Sequence, residues 1–290
     1  MNRVPPLLLA VAAIFSVQFG SAFARTFFGE TGALGAAGLR LFFAALLLAV
    51  IVRPRVRAWN RGTWLRVVGL GVALGGMNSV IYLAIQQVPI GVAVTIEFLG
   101  PLTVAIVQTR RLADAAWALL ALTGVVLLGL DGFAGSLSLA GLALAALAAV
   151  FWAGYILTSS SLGGRGEGLQ PLAAAMVVAA VVVLPFGAPP ALHAVSAHPW
   201  LLAVFVLVAV LTSVLPYSLE FVALRRMPTR VFGVFSSLGP AVAALAGLLV
   251  LHESLGALQI GALALVVAAS VGVTVFAPRR DAAVSNLDVV

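Results

Sequence analysis

An arginine and a glutamate set inside long apolar stretches are the residues of this chain best suited to chemistry: Arg40 within the run 33–52 and Glu97 within the run 90–109. Ionisable groups at membrane depth are costly and tend to be functional. A guanidinium fork can clamp a carboxylate, and a carboxylate can hold an ammonium group, so the pair suits a zwitterionic amino acid. A carboxyl group lodged in apolar surroundings can also load and unload a proton, which makes Glu97 the candidate carrier of a coupling proton. Gln18, Asn78 and Tyr82 supply polar company, and Asn78 and Tyr82, four apart, share a helix face. Counted along their runs at about 1.5 Å per residue, Gln18, Arg40, Asn78 and Glu97 fall roughly 9–14 Å below one membrane face. The bland alternative is that Arg40 and Glu97 only neutralise each other as a buried pair.

A second set lies in the C-terminal half: Trp152 and Tyr155, then Tyr217 and Glu220, then Ser236 beside Ser237. Trp152 and Tyr155 could line a cavity or simply fill an interhelical contact. Glu220 stands near the end of its run, where pairing with Arg225 or Arg226 competes with a role in transport. Enzymatic constellations are missing. There is no His-Glu-x-x-His, no embedded aspartate pair and no Ser/His pair at helical spacing. Three scattered histidines and no cysteine give no metal-ligand spacing, and no cofactor is expected.

The elements that must position these residues are membrane helices. The chain has 290 residues, 63% of them hydrophobic and 9% charged. A soluble domain carries roughly 25% charged residues, so a chain this poor in charge must face lipid. Ten apolar runs are long enough to span a bilayer, at 5–24, 33–52, 65–87, 90–109, 113–130, 139–159, 170–188, 200–222, 229–250 and 256–277. Arg3, an apolar stretch and Ala22-Phe23-Ala24 mimic a signal peptide. Its removal would leave nine spans and unequal halves, so the stretch is read as span 1.

The net charge of +7 describes topology rather than nucleic-acid binding, because the arginines sit in short loops. Arg53, Arg55, Arg57, Arg61 and Arg66, Arg110 and Arg111, Arg165, Arg225, Arg226 and Arg230, and Arg279 and Arg280 all fall inside if Arg3 is cytoplasmic. Only Arg25 falls outside. The expectation is an all-α protein of the bacterial inner membrane with both termini cytoplasmic.

The halves repeat. Tyr82-Leu-Ala-Ile-Gln-Gln-Val-Pro89 matches Phe221-Val-Ala-Leu-Arg-Arg-Met-Pro228, Leu99-Gly100-Pro101 matches Leu238-Gly239-Pro240, and Asp114 matches Glu253. Tyr217 then stands where Asn78 does, and Ser236 where Glu97 does. Five spans per half is odd, so the second copy is inverted. The arginines agree: Gln86-Gln87 becomes Arg225-Arg226, while Arg110-Arg111 becomes Leu249-Val250. The expected units are 1–135 and the inverted 136–278, each of five helices, with a cytoplasmic tail 279–290. Gly100-Pro101 and Gly239-Pro240 place matched kinks that could act as hinges for alternating access.

Two blocks carry a resemblance. One runs Gly75-Gly-Met-Asn-Ser-Val-Ile-Tyr-Leu-Ala-Ile-Gln-Gln-Val-Pro-Ile-Gly-Val-Ala-Val-Thr-Ile-Glu-Phe-Leu-Gly-Pro101, the other Leu215-Pro-Tyr-Ser-Leu-Glu-Phe-Val-Ala-Leu-Arg-Arg-Met-Pro-Thr-Arg230. Here the sequence resembles the drug/metabolite transporters with paired EamA domains, and among them the threonine/homoserine exporters. The resemblance covers nearly the whole chain. It implies ten helices around a central cavity and efflux of threonine, homoserine or similar amino acids, driven by the proton gradient. It places Arg40, Asn78, Tyr82, Glu97, Tyr217 and Glu220 at matching positions. It also implies an acidic residue before the proline of span 9, where this chain has Gly239. The rival readings are an exporter of aromatic amino acids, drugs or other metabolites from the same superfamily, and a passive channel, which would need neither inverted repeats nor matched kinks.

Overall fold

The computed structural model describes residues 5–109, 112–133, 137–162, 168–224 and 236–276, and among these every regular element is helical. In chain order they are α1 (Pro6–Arg25), α2 (Phe28–Val52), a short 3₁₀ turn (Val56–Ala58), α3 (Arg61–Ile85), α4 (Ile90–Glu97), α5 (Leu99–Thr109), α6 (Leu112–Phe133), α7 (Leu139–Leu162) and α8 (Gln170–Ala197). Then come α9 (Leu201–Ala209), a π-helical turn (Val210–Val214), α10 (Leu215–Leu224), α11 (Gly239–Leu251) and α12 (Ala257–Phe276). Among the described residues, six helical runs are long and apolar enough to cross a membrane, one of them the continuous run Leu201–Glu220 through α9, the π turn and α10; Ile90–Val104, Ala116–Leu128, Gly239–Leu251 and Ala257–Gly272 are shorter apolar ones.

Local chemistry sets the boundaries. Pro6 begins α1, where its missing N–H costs nothing. Asn60 caps α3 by accepting the Thr63 N–H at 2.8 Å. Arg53 closes α2 in the left-handed conformation, φ 50°. Gly32, at φ 64° and ψ 164°, is not helical, so α2 is two helical pieces in succession, a short one from Phe28 and a long one from Ala33 to Val52. One expected boundary differs markedly. Helix α8 continues to Ala197 rather than 188, passing through Pro185, Pro189 and Pro190. These prolines are tolerated because neighbouring helices hold the segment in place.

Small residues bring the helices together, as lipid-embedded packing requires. A Cβ added to Gly35 would lie 3.2 Å from the Ala191 nitrogen, and one on Gly38 3.1 Å from the Gly187 Cα, so α2 and α8 run backbone to backbone. Gly75 approaches Ala179 in the same way between α3 and α8, and Gly91 approaches Ala244 between α4 and α11. Large apolar side chains such as Phe42, Val50, Leu119, Val150 and Phe186 remain exposed, as a lipid-facing surface demands.

The connections sort onto two faces. On one, the Arg55 N–H donates to Gln170 Oε1 at 2.9 Å, joining the α2–α3 loop to the start of α8. On the other, Arg25 pairs with Glu253, the Ile90 N–H donates to Glu253 Oε2 at 2.9 Å, and Ser138 bonds Gln87 at 3.0 Å. Phe27 packs edge-on against Trp200 on that same face, with ring centres 5.7 Å apart. Arg3, Arg110, Arg111, Arg165, Arg225, Arg226, Arg230, Arg279, Arg280 and the tail 279–290 lie outside the described residues. So does the expected pairing of Glu220 with Arg225 or Arg226.

Candidate functional site

A proline shapes the centre of the molecule. Pro216, early in α10, has no N–H to give to the carbonyl four residues back, that of Thr212. The helix widens there into the π turn 210–214, a distortion common at functional sites. Arg40, reaching from α2, fills the vacancy: its Nη2 donates to the Thr212 carbonyl at 3.0 Å and its Nε to Ser213 Oγ at 3.4 Å. The guanidinium lies over the Tyr82 ring, 5.3 Å from its centre. Arg40 is buried at 3% exposure, and its Nη1 has no hydrogen-bond partner among the described residues. The side chain is thus anchored on one edge and available on the other.

Around it the expected residues converge. Asn78 is buried and donates from Nδ2 to the Leu74 carbonyl at 2.8 Å. Its side chain meets Tyr217, which also lies within the fields of Arg40, Glu220 and Glu97. Glu97, 7% exposed, feels the charge of Arg40. No ion pair joins them among the described residues, and the Glu97 carboxylate accepts no hydrogen bond there. A neutralising structural pair would be hydrogen-bonded, so this arrangement departs from that reading. The Tyr82 hydroxyl is buried without a partner among the described residues, as is Ser79 Oγ on the same helix. Orphaned buried hydroxyls cost free energy unless a water or ligand meets them.

Tyr217 connects this centre to a cavity of about 190 Å³ lined by Tyr155, Ser159, Tyr217 and Glu220 together with Gly168 and Leu169. Gly168 and Leu169 belong to the connection leading into α8, so the cavity lies toward the Arg55 face. Another cavity, of about 170 Å³ between α5 and α6, is lined by apolar residues and Thr103 and holds none of these groups.

The remaining candidates gather at the kinks. The first expected kink falls at Phe98, between α4 and α5; the second at Ser237 and Leu238, before α11. Pro101 and Pro240 lie four residues beyond Glu97 and Ser236 and bring no N–H to either of those carbonyls. Trp152 packs edge-on against Phe98 at 5.4 Å. A Cβ on Gly239 would sit 3.7 Å from Gln18 Nε2 and from the Phe98 ring, an ordinary contact, whereas one on Gly100 would collide with the Ala149 carbonyl. Gln18, Trp152 and Ser236 therefore surround the kinks rather than the guanidinium of Arg40. Thr212, Ser213, Ser159 and Pro216 belong to the site without having been singled out from sequence. Pro216, four residues after Thr212, is the signal that marks the first two.

Similarities to known proteins identify the family. Residues 139–275 match the EamA-like transporter family. The threonine/homoserine exporter RhtA of Salmonella typhimurium (strain LT2) is 40% identical over 98% of this chain and 96% of its own length. The RhtA of Escherichia coli (strain K12) is 38% identical over the same shares. The chain belongs to the EamA-like transporter family. A solved crystal structure shares the fold of this EamA-like protein at a TM-score of 0.59 and 19% identity, covering 94% of this chain and 98% of that one. With its apolar helices, membership makes the protein an integral inner-membrane transporter and not an enzyme.

Proposed function

We propose that this EamA-like protein exports small amino acids of the threonine/homoserine kind across the inner membrane, by proton antiport with alternating access. The carrying observation is the buried centre in which Arg40, Asn78, Tyr82, Glu97 and Tyr217 meet, with polar atoms of Arg40, Glu97 and Tyr82 uncommitted among the described residues. The names of its relatives supply the substrate class. Arg40, fixed by the π turn, offers Nη1 to the substrate carboxylate. Glu97 alternates between the substrate ammonium and a proton, so that one must leave before the other binds. Tyr82 and Asn78 meet the substrate's hydroxyl and amine. The cavity of Tyr155, Tyr217 and Glu220 is the cytoplasmic approach.

The packing supports an inverted five-plus-five repeat of ten helices over 1–135 and 136–278. Helix α3 packs on α7 as α10 packs on α1, and α7 meets α4 and α5 as α1 meets α11. The pairs α2–α8 and α6–α12 are each their own counterpart. Asn78 and Tyr217, matched in the repeat, touch each other, as residues near a pseudo-two-fold axis must. The kinks before Gly100-Pro101 and Gly239-Pro240 are the hinges. Loops carrying Arg53, Arg55, Arg57, Arg61 and Arg66 face the cytoplasm, as do both termini.

One observation favours a broader substrate range, including aromatic amino acids or other metabolites: Gly239 leaves uncharged a position beside Gln18 where the resemblance implies an acid. Uptake into inside-out vesicles of a panel of labelled amino acids, with and without a pH gradient, decides. Saturable uptake of threonine and homoserine, stimulated by an acidic lumen, is expected. Preference for aromatic substrates would favour the broader reading, and uptake no greater than in protein-free vesicles would overturn both.

A further inference from the structure

Helix α4, which carries Glu97, begins without a local cap: Pro89 precedes it and offers no side-chain acceptor. Its first amide is instead capped from another helix. At the end of α11, His252 turns left-handed at φ 55°, and the Glu253 N–H returns to the Gly247 carbonyl at 3.1 Å. This turn folds the Glu253 side chain back over Gly247, where a Cβ would come within 2.6 Å of Oε2. Glu253 Oε2 accepts the Ile90 N–H at 2.9 Å, and Oε1 pairs with Arg25 at the end of α1. A negative charge suits a helix N-terminus.

One carboxylate thus ties together α1, α4 and α11, the elements that carry Gln18, Glu97 and Gly239-Pro240. The three ends meet on the face opposite the Tyr155–Glu220 cavity. Ile90, Ala93 and Glu97 share one stripe of α4, with spacings of three and four residues, so the knot and the acid are about 10 Å apart on the same rod. We infer that Arg25, Glu253 and the Ile90 amide form the outer gate of the transport path. The gate holds that face shut while the opposite cavity stands open, and it must break for substrate to leave. Glu253 is a positioning residue, acting on Glu97 through α4. This rests on the export reading and its orientation.

The chain contains no cysteine, so a single introduced thiol reports without background. Ala93→Cys places one at a fully buried position between the gate and Glu97. Ser196→Cys places one at an exposed position near the end of α8, on the gate face. Spheroplasts are treated with a membrane-impermeant maleimide. Ser196→Cys should label in every background, which checks orientation and protein level. Ala93→Cys should be protected when the gate is intact, label several-fold faster with Glu253→Gln or Arg25→Gln, and stay protected with Arg25→Lys, which keeps the ion pair. Equal Ala93→Cys labelling with the gate intact and broken, whether high or low, overturns the inference. Failure of Ser196→Cys to label from outside overturns the orientation of the export reading instead.

Discussion

Arg40 and Glu97 stand out in a sequence because a charge within an apolar run needs a reason, whereas the groups that hold Arg40 do not. Thr212 and Ser213 are hydroxyl residues that a membrane helix accommodates by bonding its own backbone, and Thr212 Oγ1 does so, donating to the Val208 carbonyl at 2.6 Å. Only the fold brings the π-turn carbonyl beneath Arg40, although Pro216 foretells that it lacks a partner. The anchoring predicts a split. Arg40→Ala should raise the KM for amino acids strongly, because it removes the carboxylate clamp and orphans the Thr212 carbonyl. Arg40→Lys should recover little, since a single ammonium cannot bond the π turn and a carboxylate in the fork geometry. Affinity unchanged in Arg40→Ala would make the residue structural. Glu97→Gln should abolish gradient-driven export while the protein accumulates in the membrane, read by immunoblot beside efflux; normal threonine efflux would remove Glu97 from the coupling step.

The elements were legible where proline and glycine act locally and obscure where neighbours decide. Gly100-Pro101 and Gly239-Pro240 mark the breaks at Phe98 and Leu238 because a missing N–H forces them. Neighbours decide the end of α8, which runs to Ala197 rather than 188: it stays helical through its prolines where Gly187, Pro190 and Ala191 lie against Gly35 and Gly38 of α2. The matched kinks are not equivalent in packing. Gly100 abuts the Ala149 carbonyl of α7, and Gly239 has room for a Cβ. Gly100→Ala should therefore destabilise the protein by about 1–3 kcal/mol through overpacking, visible as a lowered thermal midpoint in detergent. Gly239→Ala should leave the midpoint nearly unchanged. Equal midpoints for the two variants would contradict the close approach of α5 and α7.

At the scale of the molecule, the proposed inverted repeat rests on motifs that match in order while the arginines exchange loops. Which helices touch was not legible in the sequence, since apolar and small residues surround nearly every helix and leave no face marked as inner. The sorting of loops yields a topology test: reporter fusions at Arg55 and Gly168 should lie on one side of the membrane and at Gln87, Ser138 and Glu253 on the other. Any crossing of these sets would break the inverted arrangement. In the proposed mechanism one buried centre, shared between the two halves, exchanges an amino acid for a proton. Its most direct test is the proton movement itself, recorded with a pH dye trapped in proteoliposomes of acidic lumen when threonine is added outside. Alkalinisation of the lumen that saturates with threonine and vanishes in Glu97→Gln is expected. No threonine-dependent change, or an equal change in Glu97→Gln, would contradict it.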